Sequence, residues 1–271
     1  MDPVILKERS AEGEGGGMSQ RQSRLLEIVL ARGFASLEDL AAVFQVSTQT
    51  IRRDVIRLDA AGLLQRFHGG VGAPDDRVRV GYRHKQVMAI DSKLRIGALA
   101  AGLVPDGAAI YLDVGTTIEA LARELLGKPL RVVFTNNMPA ALLLGGDQSV
   151  EVYVAGGQVR GADGSLVGDA AAKAMSGIAV DIAFIGCSGF AEDGSPMDFD
   201  PQKVAIKSAV LANARRAVLL ADSSKFLRSA LVKIAAPQSF STLVTDAPPP
   251  TPLAGSLAAA GVAVEIAALS E

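Results

Sequence analysis

Apolar residues near the N-terminus recur at the spacing of short amphipathic helices. They fall on one helical face between residues 20 and 32, which predicts a first helix there. Ser36, followed three residues later by Asp39, resembles a capping box and predicts that a second helix starts at this point. Ser47 is suited to cap a third helix. The apolar positions expected to face inward on that third helix are Ile51, Val55 and Leu58.

The pattern after the third helix changes from helical spacing to alternation. Residues 63 to 71 alternate well enough for two short strands that turn at Gly69 and Gly70. Three short helices followed by such a hairpin predict a winged helix-turn-helix, a fold that lays its third helix in the major groove of DNA. The candidate DNA-binding residues are Ser47, Thr48, Gln49, Thr50, Arg52, Arg53, Arg66 and His68.

The side chains on the third helix have the chemistry that base recognition needs. Glutamine can read adenine, and arginine can read guanine or hold a phosphate, so the individual roles of Gln49, Arg52 and Arg53 stay open. For the arginine pair taken alone, an exposed and solvated helix face is the alternative. Phosphate would repel Asp54, and we expect this residue to orient an arginine or to cap a neighbouring group.

Short apolar strands alternate with helical segments through the rest of the chain. Such alternation predicts an α/β fold with a mainly parallel sheet. We divide the chain into a disordered extension at 1–17, a winged helix-turn-helix at 18–73, a linker at 74–92 and an effector domain at 93–271. The seven candidate strands begin near residues 108, 131, 151, 181, 216, 241 and 262.

Composition and charge limit the class of protein. Of the 271 residues, 49% are hydrophobic and 21% are charged, which is enough for buried cores in two domains. A single cysteine, Cys187, excludes an intrachain disulfide, and no apolar run reaches the roughly 20 residues that a membrane span needs. We therefore expect a cytoplasmic protein without a membrane role. The formal net charge is -2, yet residues 18–71 hold seven arginines against five acidic residues, which places positive charge where DNA would lie.

Polar residues follow several of the predicted strands in the second domain. Asp113 ends one strand, and Gly115, Thr116 and Thr117 precede a helix, a combination of backbone amides and hydroxyls suited to a phosphate group. An ordinary strand-to-helix turn is the alternative for this segment. Parallel strands end at one edge of the sheet, where α/β folds bind small molecules, so other polar groups near strand ends are candidates as well. They are Asn136, Asn137, Gly156, Gly157, Lys207, Asp222 and Lys225.

Two sets of residues resemble one known family. The first set is Arg21, Leu25 and Val29, followed by residues 47–55 and the HGG of the wing. The second set is DVGTT at 113–117, with TN, GG, Lys207 and DSSKF further along the chain. Both are similar to the DeoR family of bacterial repressors. The resemblance covers residues 18–270 and implies a sugar-phosphate-isomerase-like effector domain in which the candidates above bind a phosphorylated small molecule.

Some segments further resemble those family members that regulate glycerol 3-phosphate use. These segments are TNN at 135–137, Phe199 with Asp200, and TDAPPP at 245–250. The resemblance implies a repressor of a carbon-catabolic regulon that a phosphorylated effector, glycerol 3-phosphate, releases from double-stranded operator DNA. Another sugar phosphate is the alternative effector. Because one recognition helix gives limited specificity, we also expect a homo-oligomer on repeated half-sites.

An enzyme with an accessory DNA-binding module is the alternative class of function. A sugar-phosphate isomerase would need a carboxylate base, for which Asp113, Asp181 or Asp222 could serve. The sequence shows no acid and base pair with a defined spacing and no cluster of metal ligands. We therefore expect no catalytic residues, no cofactor and no metal.

Overall fold

A computed structural model describes residues 18–32, 34–67, 70–72, 89–147 and 150–267. The predicted extension at 1–17, most of the predicted linker at 74–92, and His68 lie outside these ranges.

Three helices and a small sheet form the first region. The helices and the two wing strands occur where the sequence pattern predicts them, whereas the first strand was not predicted. This strand pairs antiparallel with the second strand of the wing, so the strand order is β1-β3-β2. The elements are α1 (Gln20–Arg32), β1 (Phe34–Ser36), α2 (Leu37–Phe44), α3 (Thr48–Ala60), β2 (Gln65–Phe67) and β3 (Gly70–Gly72).

Caps and burial explain why these helices form. The Oγ atom of Ser36 accepts a hydrogen bond from the amide of Asp39, and the Oγ atom of Ser47 accepts one from the amide of Thr50. Both predicted N-terminal caps are therefore confirmed. The apolar faces of the three helices and the wing meet in one core, formed by Leu25, Val29, Ala35, Leu40, Ile51, Val55, Leu58, Leu64 and Val71.

The second region is a layered α/β structure. In chain order its helices are α4 (Ile90–Gly102), α5 (Thr116–Glu124), α6 (Met138–Gly145), α7 (Asp169–Ser176), α8 (Pro201–Leu211) and α9 (Thr251–Ala259). Its strands are β4 (Ala109–Leu112), β5 (Val132–Thr135), β6 (Glu151–Val154), β7 (Gln158–Arg160), β8 (Ser165–Val167), β9 (Val180–Gly186), β10 (Gly189–Phe190), β11 (Pro196–Asp198), β12 (Ala214–Leu220), β13 (Val232–Lys233), β14 (Thr242–Thr245) and β15 (Ala263–Ile266). Among helices of the described ranges, none has the length and apolarity that crossing a membrane requires.

The seven predicted strands form one parallel sheet. Its strand order is β15-β14-β12-β9-β4-β5-β6, and every neighbouring pair is parallel. The predicted fold class is therefore confirmed. Two smaller antiparallel sheets, β7-β8 and β10-β11-β13, were not predicted from the sequence. Their strands have only two or three residues each, which is too short for an alternating pattern to be visible.

Both faces of the parallel sheet are buried. Ile110 and Leu112 of β4 pack into a core with residues of α4, α5 and α6. Tyr111, which points to the other face, packs into a second core with residues of α7, α8 and α9. Burial on both sides explains why the strand sequences are nearly continuous apolar runs.

The strand order reverses between β4 and β9. From β4 the chain proceeds to β5 and β6 on one side, and then returns to place β9 on the other side of β4. Connections that leave two neighbouring strands toward opposite sides open a crevice at the carboxyl ends of those strands. The fold therefore places its expected ligand site beside the residues that follow β4 and β9.

Candidate functional site

Helix α3 presents a polar face to solvent. Gln49, Arg52 and Arg53 are exposed, and Thr48 is partly exposed in the first turn. The apolar face of the same helix is buried in the core. The structure therefore brings these four candidates together near the start of one helix, the part of a recognition helix that meets base edges in a helix-turn-helix.

Ser47 and Thr50 have a structural partner in each other. The two hydroxyl oxygens are 2.9 Å apart, and the Thr50 amide donates to Ser47 Oγ at 3.2 Å. These bonds close the first turn of α3 and so fix where the recognition helix begins. A DNA contact from either hydroxyl stays a prediction.

The wing contributes one described candidate. Arg66 of β2 is exposed, and its Nε atom lies 3.5 Å from a carboxylate oxygen of Asp59. This exposed pair leaves the guanidinium within reach of a partner at the surface. The other wing candidate, His68, lies outside the described residues.

Asp54 connects helix α3 to helix α1. Its side chain is buried, its Oδ2 atom accepts a hydrogen bond from Arg21 Nε at 2.6 Å, and its Oδ1 atom accepts one from Gln22 Nε2 at 3.1 Å. Asp54 therefore orients an arginine, as expected, and ties α3 to α1. The partner is the distant Arg21 rather than the adjacent Arg53.

The expected anion cradle lies at the strand-order reversal. Asp113 follows β4 directly, and Gly115 begins α5 with a φ of 125°, a backbone conformation that favours glycine. A Cβ atom at Gly115 would meet nothing within 4 Å, so the space in front of the helix is open. The first-turn amides of α5, from Thr116 and Thr117 onward, point along the helix axis at this opening. The arrangement suits an anion.

A buried ion triad lies beneath the cradle. The Nζ atom of Lys207 lies 2.9 Å from Asp113 Oδ2, 2.7 Å from Asp198 Oδ2 and 2.7 Å from the carbonyl oxygen of Gly186. The Gly186 amide also donates to Asp113 Oδ2 at 2.9 Å. Lys207 is 1% exposed, and these three acceptors match its three N–H donors. The lysine therefore joins β4, β9 and β11 and has no donor left for a ligand.

In this triad, burial and ion pairing shift the pKa values of the three side chains in opposite directions. Burial raises the pKa of Asp113, and the Lys207 ammonium offsets part of that rise. Burial would raise the pKa of Asp198 as well, but Lys207, Lys203 and the Phe199 amide together lower it. For Lys207 itself, burial opposes the charge, yet the two carboxylates prevail and raise its pKa. The two carboxylates therefore favour the charged form of Lys207.

Asn136 and Asn137 are both fully buried and hydrogen-bonded within the protein. Asn136 Oδ1 accepts from the Tyr111 hydroxyl, and its Nδ2 donates to the Leu166 carbonyl. Asn137 Nδ2 donates to the Asp113 carbonyl, and its Oδ1 caps α6 by accepting from the Ala140 amide. These amides hold the loops after β4 and β5 in place.

Gly156 and Gly157, which follow β6, have different surroundings. Gly157 has a φ of 133°, and a Cβ atom there would lie 2.5 Å from the carbonyl oxygen of Val167. Glycine is therefore required for β8 to approach. At Gly156 a Cβ atom would meet nothing within 4 Å. Only Gly156 of the two leaves open space for a ligand.

Asp222 and Lys225 lie in a charged cluster that the sequence motifs showed only in part. They follow β12, and their carboxylate and ammonium groups are 3.9 Å apart. Lys93 of α4 and Arg228 belong to the same cluster, since both interact electrostatically with its members. Neither Lys93 nor Arg228 belongs to a motif: helix α4 brings Lys93 in from a separate segment, and Arg228 lies two residues beyond the DSSKF motif. Lys93 also lines a cavity together with Thr116.

The residues that an isomerase would need are not assembled. Asp181 stands at the start of β9 and accepts from the Ala109 amide at the start of β4, so it lies at the opposite edge of the sheet from the crevice. Asp113 is held in an ion pair with the buried Lys207, whose pKa the neighbouring carboxylates raise. Within the described part of the chain, no group of His, Cys, Asp or Glu could hold a metal ion.

Comparison with known families matches both regions. The DeoR-like helix-turn-helix domain matches residues 21–77, and the DeoR C terminal sensor domain matches residues 88–247. The first match includes helix α3. The second includes strands β4 and β9, whose carboxyl ends border the crevice.

Individual relatives are similar over most of their length. The glycerol-3-phosphate regulon repressor of Escherichia coli (strain K12) is 35% identical over 86% of this chain and 92% of its own. The repressor of the same name from Haemophilus influenzae is 37% identical over 80% of this chain and 84% of its own. Among solved structures, the full-length sorbitol operon regulator SorC from Klebsiella pneumoniae is 11% identical, with a TM-score of 0.38 over 90% of this chain and 95% of that one.

These similarities decide between the two classes of function that the sequence left open. The relatives are transcriptional repressors, and the helix-turn-helix and sensor domains imply operator DNA and a small-molecule effector as partners. The chain is thus a transcriptional regulator and not an enzyme. With both domain models matched and at least 35% identity to these repressors, it belongs to the DeoR family of transcriptional repressors.

Proposed function

We propose that this protein represses a carbon-catabolic regulon and leaves its operator when glycerol 3-phosphate fills the crevice beside β4, β9 and β12. The observation that carries the proposal is the open N-terminus of α5 at the strand-order reversal, with Gly115 leaving room for an anion. The cations Lys93, Lys225 and Arg228 lie in one cluster near the same strand ends. A phosphate is the anion that such a site suits.

Candidate effector residues divide into those that touch the ligand and those that build the crevice. The amides and hydroxyls of Thr116 and Thr117 hold the phosphate, with Lys225 and Asp222 beside them. Four other candidates shape the crevice, because their polar groups have protein partners or their backbone needs glycine; they are Asn136, Asn137, Gly157 and Lys207. Gly115 and Gly156 leave open space, and Asp113, which is paired with Lys207 through Oδ2, has an Oδ1 atom without a hydrogen-bond partner among the described residues.

Glycerol 3-phosphate is the effector that the relatives support. Two repressors named for the glycerol-3-phosphate regulon share 35% and 37% identity with this chain over most of its length. The three-carbon compound offers a phosphate for the cradle and hydroxyl groups for buried carboxylates such as Asp222. Another sugar phosphate would use the same cradle and differ at the carbon end.

On the DNA side, the exposed face of α3 enters the major groove. Gln49, Arg52 and Arg53 contact base edges or phosphates, and Arg66 contacts the backbone from the wing. Two or more copies of the chain bind repeated half-sites, since a single recognition helix specifies too few base pairs. Effector binding favours a subunit arrangement in which the recognition helices no longer match the half-site spacing.

The test is operator binding by fluorescence anisotropy at fixed salt, with an operator selected from random duplexes. Glycerol 3-phosphate should weaken binding by about 5- to 150-fold, the usual range of ligand coupling. Fructose phosphates and inorganic phosphate serve as controls. Release only by a fructose phosphate would keep the repressor and change the effector, whereas no release by any phosphate would reject the proposal.

A glycine variant tests whether the effector binds at the N-terminus of α5. Gly115→Ala should bind the operator normally and respond poorly to glycerol 3-phosphate, because alanine is strained at a φ of 125° and adds a methyl group where the anion approaches. Gly107→Ala is the matched control, since Gly107 also has a positive φ, 71°, but precedes β4 at the other edge of the sheet. Equal responses of the two variants would reject the location of the site.

A further inference from the structure

Helix α3 carries an exposed isoleucine, Ile56, that is 42% accessible to solvent. Among the described residues, it belongs neither to the buried core of this region nor to the partly buried side chains packed against that core. Isoleucine also forms helices less readily than alanine does. Core packing and helix formation therefore do not account for this side chain. Because single exposed apolar residues are common at protein surfaces, the place of Ile56 on the helix decides what it can do.

Ile56 lies on the outward face of α3. The buried positions of the helix are Ile51, Asp54, Val55 and Leu58. At about 3.6 residues per turn, these four point to one side of the helix and Ile56 points to the other. Ile56 comes three residues after Arg53 and seven after Gln49, spacings that place helical side chains on one face. Arg52, four residues before Ile56, borders the same face. Ile56 therefore shares its face with the candidate DNA-binding side chains.

The direction of helical side chains brings Ile56 closer to the start of α3. Side chains of an α-helix lean toward its N-terminus, so Ile56 covers the surface about one turn before its own Cα atom. Arg52 and Arg53 stand on that turn. The N-terminal part of a recognition helix is the part that meets base edges. The isoleucine therefore borders the base-reading surface, although its Cα atom lies in the second half of the helix.

The cationic neighbours of Ile56 are available to DNA. Arg21 and Arg66 each have a carboxylate partner, whereas among the described residues no ion pair holds Arg52 or Arg53. Unpaired arginines at the surface attract the phosphates that border the major groove. The outward face of α3 thus combines groups that bind the polar parts of DNA with one side chain, that of Ile56, that can bind only an apolar part.

The major groove offers an isoleucine one favourable partner. Each base pair presents hydrogen-bonding groups there, and thymine alone adds an apolar group, the methyl on C5. An isoleucine that covers donors or acceptors removes their water without replacing the hydrogen bonds, which is costly. Against a thymine methyl, it buries apolar surface on both molecules. Ile56 should therefore favour thymine over cytosine, which has no methyl group on C5 and presents an N4 donor.

We propose that Ile56 is a specificity-determining residue that packs against the C5 methyl group of a thymine in each operator half-site. The inference rests on the proposed function, since it needs helix α3 in the major groove. It adds an apolar contact to a surface whose other candidates, Gln49, Arg52 and Arg53, bind through hydrogen bonds or charge. The isoleucine also selects against other bases, because a base pair without the methyl group would keep unpaired polar groups beneath it.

The experiment removes one methyl group at a time from the DNA. Each thymine of an operator selected from random duplexes is replaced singly by deoxyuridine, which lacks only the C5 methyl, and fluorescence anisotropy at fixed salt measures binding of the full chain. For the wild type, at least one replacement in each half-site should weaken binding about 3- to 10-fold, the usual effect of losing one buried methyl contact. Ile56→Ala should bind the unmodified operator more weakly by a similar factor and should not respond to that replacement. Ile56→Val, which keeps a branched apolar side chain, should keep part of the response.

A matched control and the possible outcomes separate this inference from the proposed function. Leu30→Ala removes an apolar side chain of α1 that is 44% exposed, and this variant should bind like the wild type and respond to the same thymine. If Ile56→Ala kept the same thymine responses as the wild type, or if no thymine were sensitive in the wild type, the methyl contact would be rejected and the proposed function would stand. A wild type that selects no operator from random duplexes would reject both.

Discussion

Lys207 shows how two buried carboxylates stabilise the charge of a single residue at the carboxyl edge of the sheet. Its ammonium group replaces water with two carboxylates and a carbonyl oxygen, all within 2.9 Å. A buried pair of this kind is worth little compared with an apolar pair of equal size, but removing one partner leaves a charge without compensation. The triad should therefore be sensitive to loss of the lysine.

We expect Lys207→Met to lower the free energy of unfolding by about 3 to 5 kcal/mol, because Asp113 and Asp198 would remain buried without their cation. Urea unfolding measures the change. Lys233→Met is the matched control, since Lys233 and Asp193 form an ion pair in which both side chains are more than half exposed, at 54% and 53%. A loss no larger than that of the control would show that the triad does not stabilise the fold.

A partly buried ion pair, Asp163 with Lys203, predicts how stability depends on pH. Burial acts to raise the pKa of Asp163, but the Lys203 ammonium and the hydrogen bonds from Ser165 together place the folded pKa below the ordinary value of 3.8. The unfolded chain thus binds more protons than the folded one as the pH falls through this range. The stabilisation is present above pH 4 and is lost at lower pH. Urea unfolding between pH 3 and 6 should show a flatter pH dependence in Asp163→Asn and in Lys203→Met, and an unchanged slope would contradict the pairing.

At the residue scale, the sequence indicated which polar side chains lie near the strand ends, but not which of them hydrogen-bond within the protein. Motifs singled out Asn136 and Lys207, and the structure buries both near the carboxyl ends of the parallel strands. Their hydrogen-bond partners come from strands and helices far along the chain, so only the folded geometry shows that their donors are already used. Lys93 carries no motif at all, because its cluster assembles from three separate segments.

At the scale of elements, the recognition helix is the part whose fold and function follow most directly from sequence. Helix periodicity, the Ser47 cap and the polar face were all visible in consecutive residues. The brace from Arg21 to Asp54 joins residues 33 positions apart, and neither α1 nor α3 alone indicates it. The long parallel strands were predictable for the same local reason. The strand β1 was not, since its three residues gain their pairing only from β3.

Arg52→Ala should weaken operator binding by about 1 to 3 kcal/mol if the guanidinium reads a base, and should leave the affinity for glycerol 3-phosphate unchanged. Fluorescence anisotropy over a series of salt concentrations separates the two possible roles. A phosphate contact would lower the slope of affinity against salt by about one charge, whereas a base contact would relax sequence preference at one position. Arg215→Ala, which removes an arginine that is 82% exposed on β12, is the control. Equal binding by the two variants would exclude α3 Arg52 from the interface.

At the scale of the whole molecule, the two domains can influence one another only through differences in free energy between states. An effector that lowers operator affinity must bind more weakly to the DNA-bound form, by the same factor. This reciprocity holds whatever structural path connects the two sites. It holds whether one copy of the chain or several bind the operator.

The reciprocal effect is directly measurable. If glycerol 3-phosphate weakens operator binding by a given factor, saturating operator should weaken glycerol 3-phosphate binding by that same factor, expected between about 5 and 150. Titration calorimetry with and without operator duplex measures the second factor, and anisotropy measures the first. A scrambled duplex at equal concentration controls for nonspecific charge effects. If the operator left effector affinity unchanged while the effector released the operator, the release would not come from effector binding to the repressor, and an indirect effect such as added salt would have to replace the coupling proposed for this repressor.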